Sequence, residues 1–406
     1  MNGLQKRVFH VCTGCGASFP HGFTTFCDRC GAMIDVEYDL DRVELRESED
    51  PLVRYFDLLP LESDEHLVRY GAGPTPCRHA ERLGREVGLP WLYIKDETVL
   101  PTGSTKDRMA AVVLSFLREC RIGEFCTSST GNSSTALANL IGQCPGLRMY
   151  LFSGDEFQHR VNFGESDQIV HFVMRGATFV EAFELAAEFA RRRGILSERG
   201  FFNPARREGL KLAFLEAVEQ VPRAIDWYVQ AVSSAMGVYG TYKGARELVA
   251  LGRIARPPRL LCVQQETCSP MARAFDEGSD SILAHHIVER PTGIASAILR
   301  GNPSRVYPIV RGIVIESGGA FATVSEIEIR EARRMAEELE GLTPCFSSAA
   351  AIAGMSKLAR QGAIAPDQTV LVNLTGRDRE AGTSSHAARW LTRSGDRWVL
   401  EEGEEY

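Results

Sequence analysis

The sequence predicts an α/β protein of parallel-sheet domains, preceded by a small cysteine-ligated ribbon. Three observations lead there. From residue 91 onward, short apolar runs of strand length alternate with segments of helical period, the pattern of parallel strands joined by crossover helices. The opening segment carries two Cys-x-x-Cys pairs in metal-ligand spacing. The chain has 406 residues, 44% apolar and 24% charged, an ordinary globular composition long enough for two or more domains.

In CTGCGASFPHGFTTFCDRC, Cys12, Cys15, Cys27 and Cys30 form two knuckles separated by eleven residues. Each knuckle turns two thiolates toward one tetrahedral ion, and a site closed by four sulfurs holds a structural Zn2+. A redox dithiol is the alternative, although no βαβ pattern surrounds the pairs. His10 and His21 lie nearby and are not needed as ligands. The other cysteines are diluted by length, which suits a reducing compartment. An acidic linker, DRVELRESEDP, and a Gly/Pro-rich loop, GAGPTPC, come next.

Strands are then expected at WLYIKDE, RIGEFCTSS, LRMYLFSG, WYVQAVSS, RLLCVQQE and TVLVNLTG. Helices are expected at Thr105 to Cys120, STALANLIGQ, VEAFELAAEFARRRG, GTYKGARELVALG, SEIEIREARRMAEELEG and SAAAIAGMSKLARQG. The final EEGEEY reads as a solvated acidic tail. A net charge of -7 argues against binding nucleic acid through its phosphates. No apolar stretch is long enough to span a bilayer, so no membrane partner is expected. The start lacks the apolar core of a secretory signal, which points to the cytoplasm.

Ligands of parallel sheets collect where strands end and helices begin. In PTGSTKDRM, Lys106 lies one turn into a helix, with Ser104 as expected N-cap and Asp107 completing a capping box. The helix dipole there favours the free amine, the form that condenses with an aldehyde. A solvated lysine beside Asp107 and Arg108 is the other reading. STGNSS, Ser129 to Ser134, offers donors to a carboxylate or simply caps a helix. Ser233 to Gly237, in SSAMG, form a nest for a phosphate or allow close helix packing. Thr375, in NLTG, presents a hydroxyl to a ring nitrogen or merely ends a strand.

Taken together, these blocks resemble threonine synthase and the related cysteate synthase, fold-type II pyridoxal-phosphate enzymes. KDETVLPTGSTKDR is similar to the lysine motif of that family, STGNSS to its asparagine loop and NPARREGLK to its NPxRxEGxK run. PTGIASAILRGNP, SSAAAIAG and NLTG follow in the family's order, so the resemblance spans roughly residues 50 to 380. It implies two parallel-sheet α/β domains with the cofactor, pyridoxal 5'-phosphate, between them. The expected layout is a ribbon over 1–45, a large cofactor-binding domain from 46–110 and 206–395, a small α/β domain over 111–205 and an acidic tail over 396–406.

The resemblance also assigns roles. Lys106 would bind the cofactor covalently and shuttle protons, and Asn132 would meet its phenolic oxygen. Ser233, Ser234, Ala235, Met236 and Gly237 would hold its phosphate, and Thr375 its pyridine nitrogen. Ser129, Thr130 and Ser133 would lie near the carboxylate of a small amino-acid substrate. A homodimer is expected from the family. A neutral hydroxyl at the ring nitrogen makes the ring a moderate electron sink, suited to elimination and replacement rather than transamination. Arg160, Arg206 and Lys211 are available to grip a phosphate leaving group.

Three positions depart from the threonine synthase pattern: Thr105 replaces a phenylalanine, SSAMG replaces GNAGN, and Leu100 replaces an asparagine. They favour β-replacement on an O-activated, O-phospho serine- or threonine-like amino acid, as in cysteate synthase. Threonine formation from O-phosphohomoserine is the alternative. A reading of another class is a zinc-ribbon binding protein on an inactive enzyme-like body.

Overall fold

The computed structural model describes residues 7–129, 131–379 and 387–401. Three strands, β1 (Val8–Cys12), β2 (Ser18–Phe19) and β3 (Ile34–Tyr38), form the antiparallel ribbon in the order β2-β1-β3. A short helix α1 (Pro51–Arg54) leads to β4 (Cys77–His79), α2 (Glu81–Val87), β5 (Leu92–Asp96) and α3 (Lys106–Glu119). Next come β6 (Glu124–Ser128), α4 (Asn132–Leu140), β7 (Arg148–Gly154), β8 (Ile169–Met174), α5 (Phe179–Arg193) and β9 (Leu196–Ser197). The chain continues through α6 (Pro204–Gln220), β10 (Trp227–Ala231), α7 (Met236–Ala250), β11 (Arg259–Gln265), α8 (Pro270–Asp276) and α9 (Tyr307–Glu316). It closes with β12 (Ala320–Val324), α10 (Glu326–Glu340), α11 (Phe346–Arg360), β13 (Val370–Leu374), β14 (Ala388–Ser394) and β15 (Arg397–Leu400).

Two six-stranded sheets result. The larger has the order β12-β11-β10-β13-β5-β4 and is parallel except for β4. The smaller runs β15-β14-β8-β7-β6-β9 and is parallel except for β15. The central strands β5, β10, β11 and β13 of the larger sheet are buried on both faces. Trp227, Val229 and Ala231 turn toward one core with α10 and α11, while Tyr228 and Val232 turn toward another with α3, α6 and α7. That alternation is the two-residue period of a strand.

The expected tail needs correction. Residues 388–400 belong neither to the larger sheet nor to a solvated tail. Parallel to β8, β14 exchanges partners from Ala388↔His171 to Leu391↔Met174, and β15 folds back on it. Leu391 and Leu400 are buried with Phe172 and Phe189, which supplies the apolar reason. Residues 402–406 of the expected tail lie outside the described residues.

Helix α6 escaped the periodicity because its charges point inward. Asn203 caps it, accepting from Ala205 N at 3.0 Å, and Pro204 opens it. Its Arg206, Arg207, Glu208, Lys211 and Glu216 are all buried. Through them the ribbon docks. Arg207 donates to Asp35 at 3.0 Å and Tyr38 Oη to Glu208 at 2.6 Å. At the far end of α3, His21 meets Glu119 at 2.6 Å.

Candidate active site

The expected capping box at α3 is absent. Thr105 is the residue before the helix, already in a helical conformation, and Ser104 Oγ accepts only a long bond from Lys106 N, 3.4 Å. Asp107 instead accepts from Thr102 N and Oγ1, both at 2.8 Å, which folds the Pro-Thr-Gly loop over the helix start. The same loop joins the end of β13: Thr105 N donates to Thr375 O at 2.9 Å, and Ser104 bridges Gly376. Lys106 and Thr375, 269 positions apart in the chain, thereby become neighbours.

The position of α3 is fixed by a buried charge network. Arg108 donates to Glu97 (2.6 and 3.0 Å), to Glu216 (Oε2 at 2.8 Å) and to Thr75 Oγ1 at 2.9 Å. Lys95 donates to Glu216 at 2.7 Å, Thr75 O at 2.7 Å and Gln220 at 2.8 Å. Two cations face two carboxylates, all fully buried, so the charges balance.

A cavity of about 90 Å³ lies at the carboxyl ends of β5, β10 and β13. Lys106, Asn132, Ser233, Ser234, Ala235, Met236, Gly237 and Thr375 all line it. Ala235 precedes α7 with φ 56°, a left-handed turn that bends the segment into a concave loop at the helix start. The first N–H groups of α7 have no carbonyl one turn back, which leaves them free to donate to an anion. A side chain at Gly237 would put its Cβ 2.8 Å from Gln230 Nε2, so the wall is already filled on that side. Inside the wall, Asn373 Oδ1 is buried without a hydrogen-bond partner.

Lys106 opens onto the cavity but is otherwise enclosed by protein. Burial first, and the Arg206 charge second, lower its ammonium from 10.5 to about 8. Burial therefore does most of what the helix dipole was expected to do. Because only the free amine condenses with an aldehyde, cofactor uptake by apoprotein should speed up as pH rises through about 8 and level off above it. Stopped-flow absorbance measures this; a rise centred near 10.5, the ordinary lysine value, would contradict the enclosure.

The asparagine loop behaves differently from expectation. Ser129 Oγ accepts from Gly131 N and Ser134 N, both at 3.1 Å, and serves the turn from within. Ser133 Oγ accepts from Arg206 at 3.3 Å. Of this loop only Asn132 lines the cavity, and Thr130 lies outside the described residues. Gly131 needs to be glycine, since at φ 133° a Cβ would sit 2.8 Å from Arg160 O.

Two of the expected phosphate grips are already engaged. Glu198 holds Arg206 through both oxygens, and Lys211 is neutralised by Glu208 and by Glu247 at 2.7 Å. Sequence reasoning gave no role to Ala297, Cys345 or Ser347, which line this cavity and an adjoining one of about 220 Å³. It also missed Ser348, whose Oγ lies 3.4 Å from Thr375 Oγ1. The blocks PTGIASAILRGNP and SSAAAIAG had been recognised only as family sequence, and that was the available signal.

A half-buried amine, a concave loop at a helix start and a strand-end hydroxyl around one cavity are the arrangement expected of a carbonyl-cofactor enzyme. Residues 68–376 match the family described as pyridoxal-phosphate dependent enzyme, and the chain belongs to that family, with pyridoxal phosphate as its cofactor. It is 30% identical to a threonine synthase of Methanosarcina acetivorans over 384 residues, 91% of each chain. It is 28% identical to a cysteate synthase of Methanospirillum hungatei, covering 90% of this chain and 89% of the relative. Among solved structures, threonine deaminase isoform 2 of Solanum lycopersicum superposes with a TM-score of 0.62 at 18% identity, over 83% of this chain and 92% of that one. That likeness concerns the fold alone. Among the described residues no helix is long and apolar enough to cross a membrane.

Proposed function

We propose that the chain replaces or eliminates an oxygen-linked leaving group on a serine- or threonine-like amino acid, with O-phosphoserine and sulfite the preferred pair, as in cysteate synthesis. The observation that carries this reading is the convergence of Lys106, Asn132, the 233–237 nest and Thr375 on one cavity. When bound, pyridoxal phosphate supplies an electron sink conjugated to the substrate's α-carbon. Lys106 would hold the cofactor, and its free amine is placed to take a proton from the substrate's α-carbon and to return one. Ser233 to Gly237 and the start of α7 would hold the cofactor phosphate, and Asn132 would orient the ring. Thr375 offers a neutral hydroxyl at the end of β13 that would meet the ring nitrogen without fixing a charge there, which would keep electron withdrawal moderate.

In the replacement, the carbon–oxygen bond breaks with its electron pair leaving on phosphate. Sulfite then supplies the pair for the new carbon–sulfur bond. The relatives support both this reading and threonine formation from O-phosphohomoserine. Incubating holoprotein with O-phosphoserine, O-phosphohomoserine and threonine, each with and without sulfite, tests it. Sulfite-dependent phosphate release from O-phosphoserine is the expected result. Threonine produced from O-phosphohomoserine would move the assignment to threonine synthesis, and no reaction with any of them would refute it.

The four N-terminal thiols are proposed to hold a structural Zn2+. Their sulfurs lie within 4.8 Å of one another, with Cys12–Cys30 at 3.3 Å and Cys15–Cys27 at 3.7 Å. A tetrahedral zinc with sulfurs at ~2.3 Å separates them by ~3.8 Å. Gly14 N and Cys15 N donate to Cys12 Sγ, and Arg29 N to Cys27 Sγ, each at 3.4 Å, which supports thiolates. We expect about one zinc per chain by elemental analysis, lost in Cys15→Ser, with the cofactor spectrum kept; a metal-free wild-type protein would contradict it. Four thiolates suit the reducing cytoplasm, and a homodimer is the family expectation that sedimentation would check.

A further inference from the structure

The loop expected to take the cofactor phosphate contains a strained turn. Ala235 holds φ 56° without being glycine, a conformation that persists only where its surroundings fix it. Its carbonyl accepts from Tyr239 N at 2.9 Å, which closes the first turn of α7. Tyr239 is in turn held from outside that helix. Its hydroxyl donates to Asp35 Oδ2 at 2.7 Å. Its ring meets Phe201 edge-on, with centroids 5.7 Å apart, and the Arg207 guanidinium lies 5.3 Å from its centroid. Asp35 belongs to β3 of the ribbon and is buried. Arg207 donates to its other oxygen, Oδ1, at 3.0 Å and to the carbonyl of Ile34 at 2.9 Å. Ile34 packs with Cys12 and Cys27, so the residue at the core of the thiol centre directly precedes this carboxylate.

One carboxylate thus ties β3, α6 and α7 together through charge-assisted hydrogen bonds, the stronger kind. We propose that Asp35 and Tyr239 are positioning residues for the cofactor phosphate, through which the ribbon sets the first turn of α7. Neither side chain lines the cofactor cavity. They act through the backbone of Ala235 to Gly237, whose N–H groups must converge on the anion. Donors fixed beforehand bind more tightly than donors that have to be ordered on binding. The inference rests on the reading that residues 233–237 take that phosphate.

Equilibrium binding of pyridoxal 5'-phosphate, and separately of pyridoxal, to the full chain freed of cofactor tests this in wild type, Tyr239→Phe and Asp35→Asn. Both probes offer the same aldehyde to Lys106, so the ratio of their affinities reports the phosphate alone. Each variant should bind pyridoxal 5'-phosphate about fivefold or more weakly, the scale of one hydrogen bond to a charged group, while pyridoxal affinity stays within about twofold. Amide hydrogen exchange at residue 239 should quicken in both variants, and unchanged protection there counts against the relay. Tyr239→Phe removes one hydroxyl and keeps the ring, so it decides the matter if Asp35→Asn, which strips Arg207 of its carboxylate, fails to fold. An affinity ratio in Tyr239→Phe equal to that of wild type overturns the proposal, whether both affinities fall together or neither moves. Wild-type protein that binds the two probes equally well refutes the phosphate reading of residues 233–237, and the positioning role falls with it.

Discussion

Lys106→Ala should lose turnover by at least about a thousandfold while the protein still folds and binds pyridoxal phosphate reversibly. The side chain stands at the start of α3 with its nitrogen toward the cavity and makes no ion pair among the described residues, so its loss removes chemistry rather than support. After borohydride reduction, wild-type peptide containing Lys106 should carry the cofactor mass, and the variant should carry none. In spectra, the variant should show free-aldehyde absorbance that dialysis removes. Turnover within about tenfold of wild type, or a reduced cofactor found on another lysine, would reject the role given to this amine.

Glu216→Ala should cost about 3–5 kcal/mol of stability, the largest structural effect expected of any single change here. Glu216 neutralises Lys95 and Arg108 together, and both are fully buried. Without it, two cations face only Glu97. Urea denaturation followed by circular dichroism measures the loss, and a change under about 1 kcal/mol would show that the network is not carrying its charges as described. Because Arg108 lies two positions from Lys106, the surviving folded enzyme should also lose kcat through displacement of the first turn of α3. Replacing Glu216 and Lys95 together, by leucine and methionine, should recover part of the stability, since that removes one charge of each sign.

Much of this architecture was readable because the central strands are covered on both faces. β5, β10, β11 and β13 are apolar runs of strand length, and α5 and α10 announce themselves by capping boxes, Thr178 with Glu181 and Ser325 with Glu328. The candidate site residues stand out in the sequence for a different reason. Lys106, Asn132, 233–237 and Thr375 all sit where a strand or loop yields to a helix or turn, and such junctions are marked by small and hydroxyl residues. Ser129 shows where that logic stops. A hydroxyl at a helix start satisfies the backbone as readily as a ligand, and here it bonds Gly131 N and Ser134 N.

The order of chemical groups along the chain was enough to specify the four-thiol ribbon, the alternating strands and helices, and the residues at the strand ends. All of these depend on neighbours within a few positions. Which partners each buried charge finds was settled only in three dimensions. Arg206 and Lys211 are neutralised by Glu198, Glu208 and Glu247, and Arg379 donates to the backbone carbonyl of Arg160. The same holds for β14, which finds β8 more than two hundred residues back. Burial of a charge or an edge strand is decided by partners distant in sequence, and local periodicity carries no record of them.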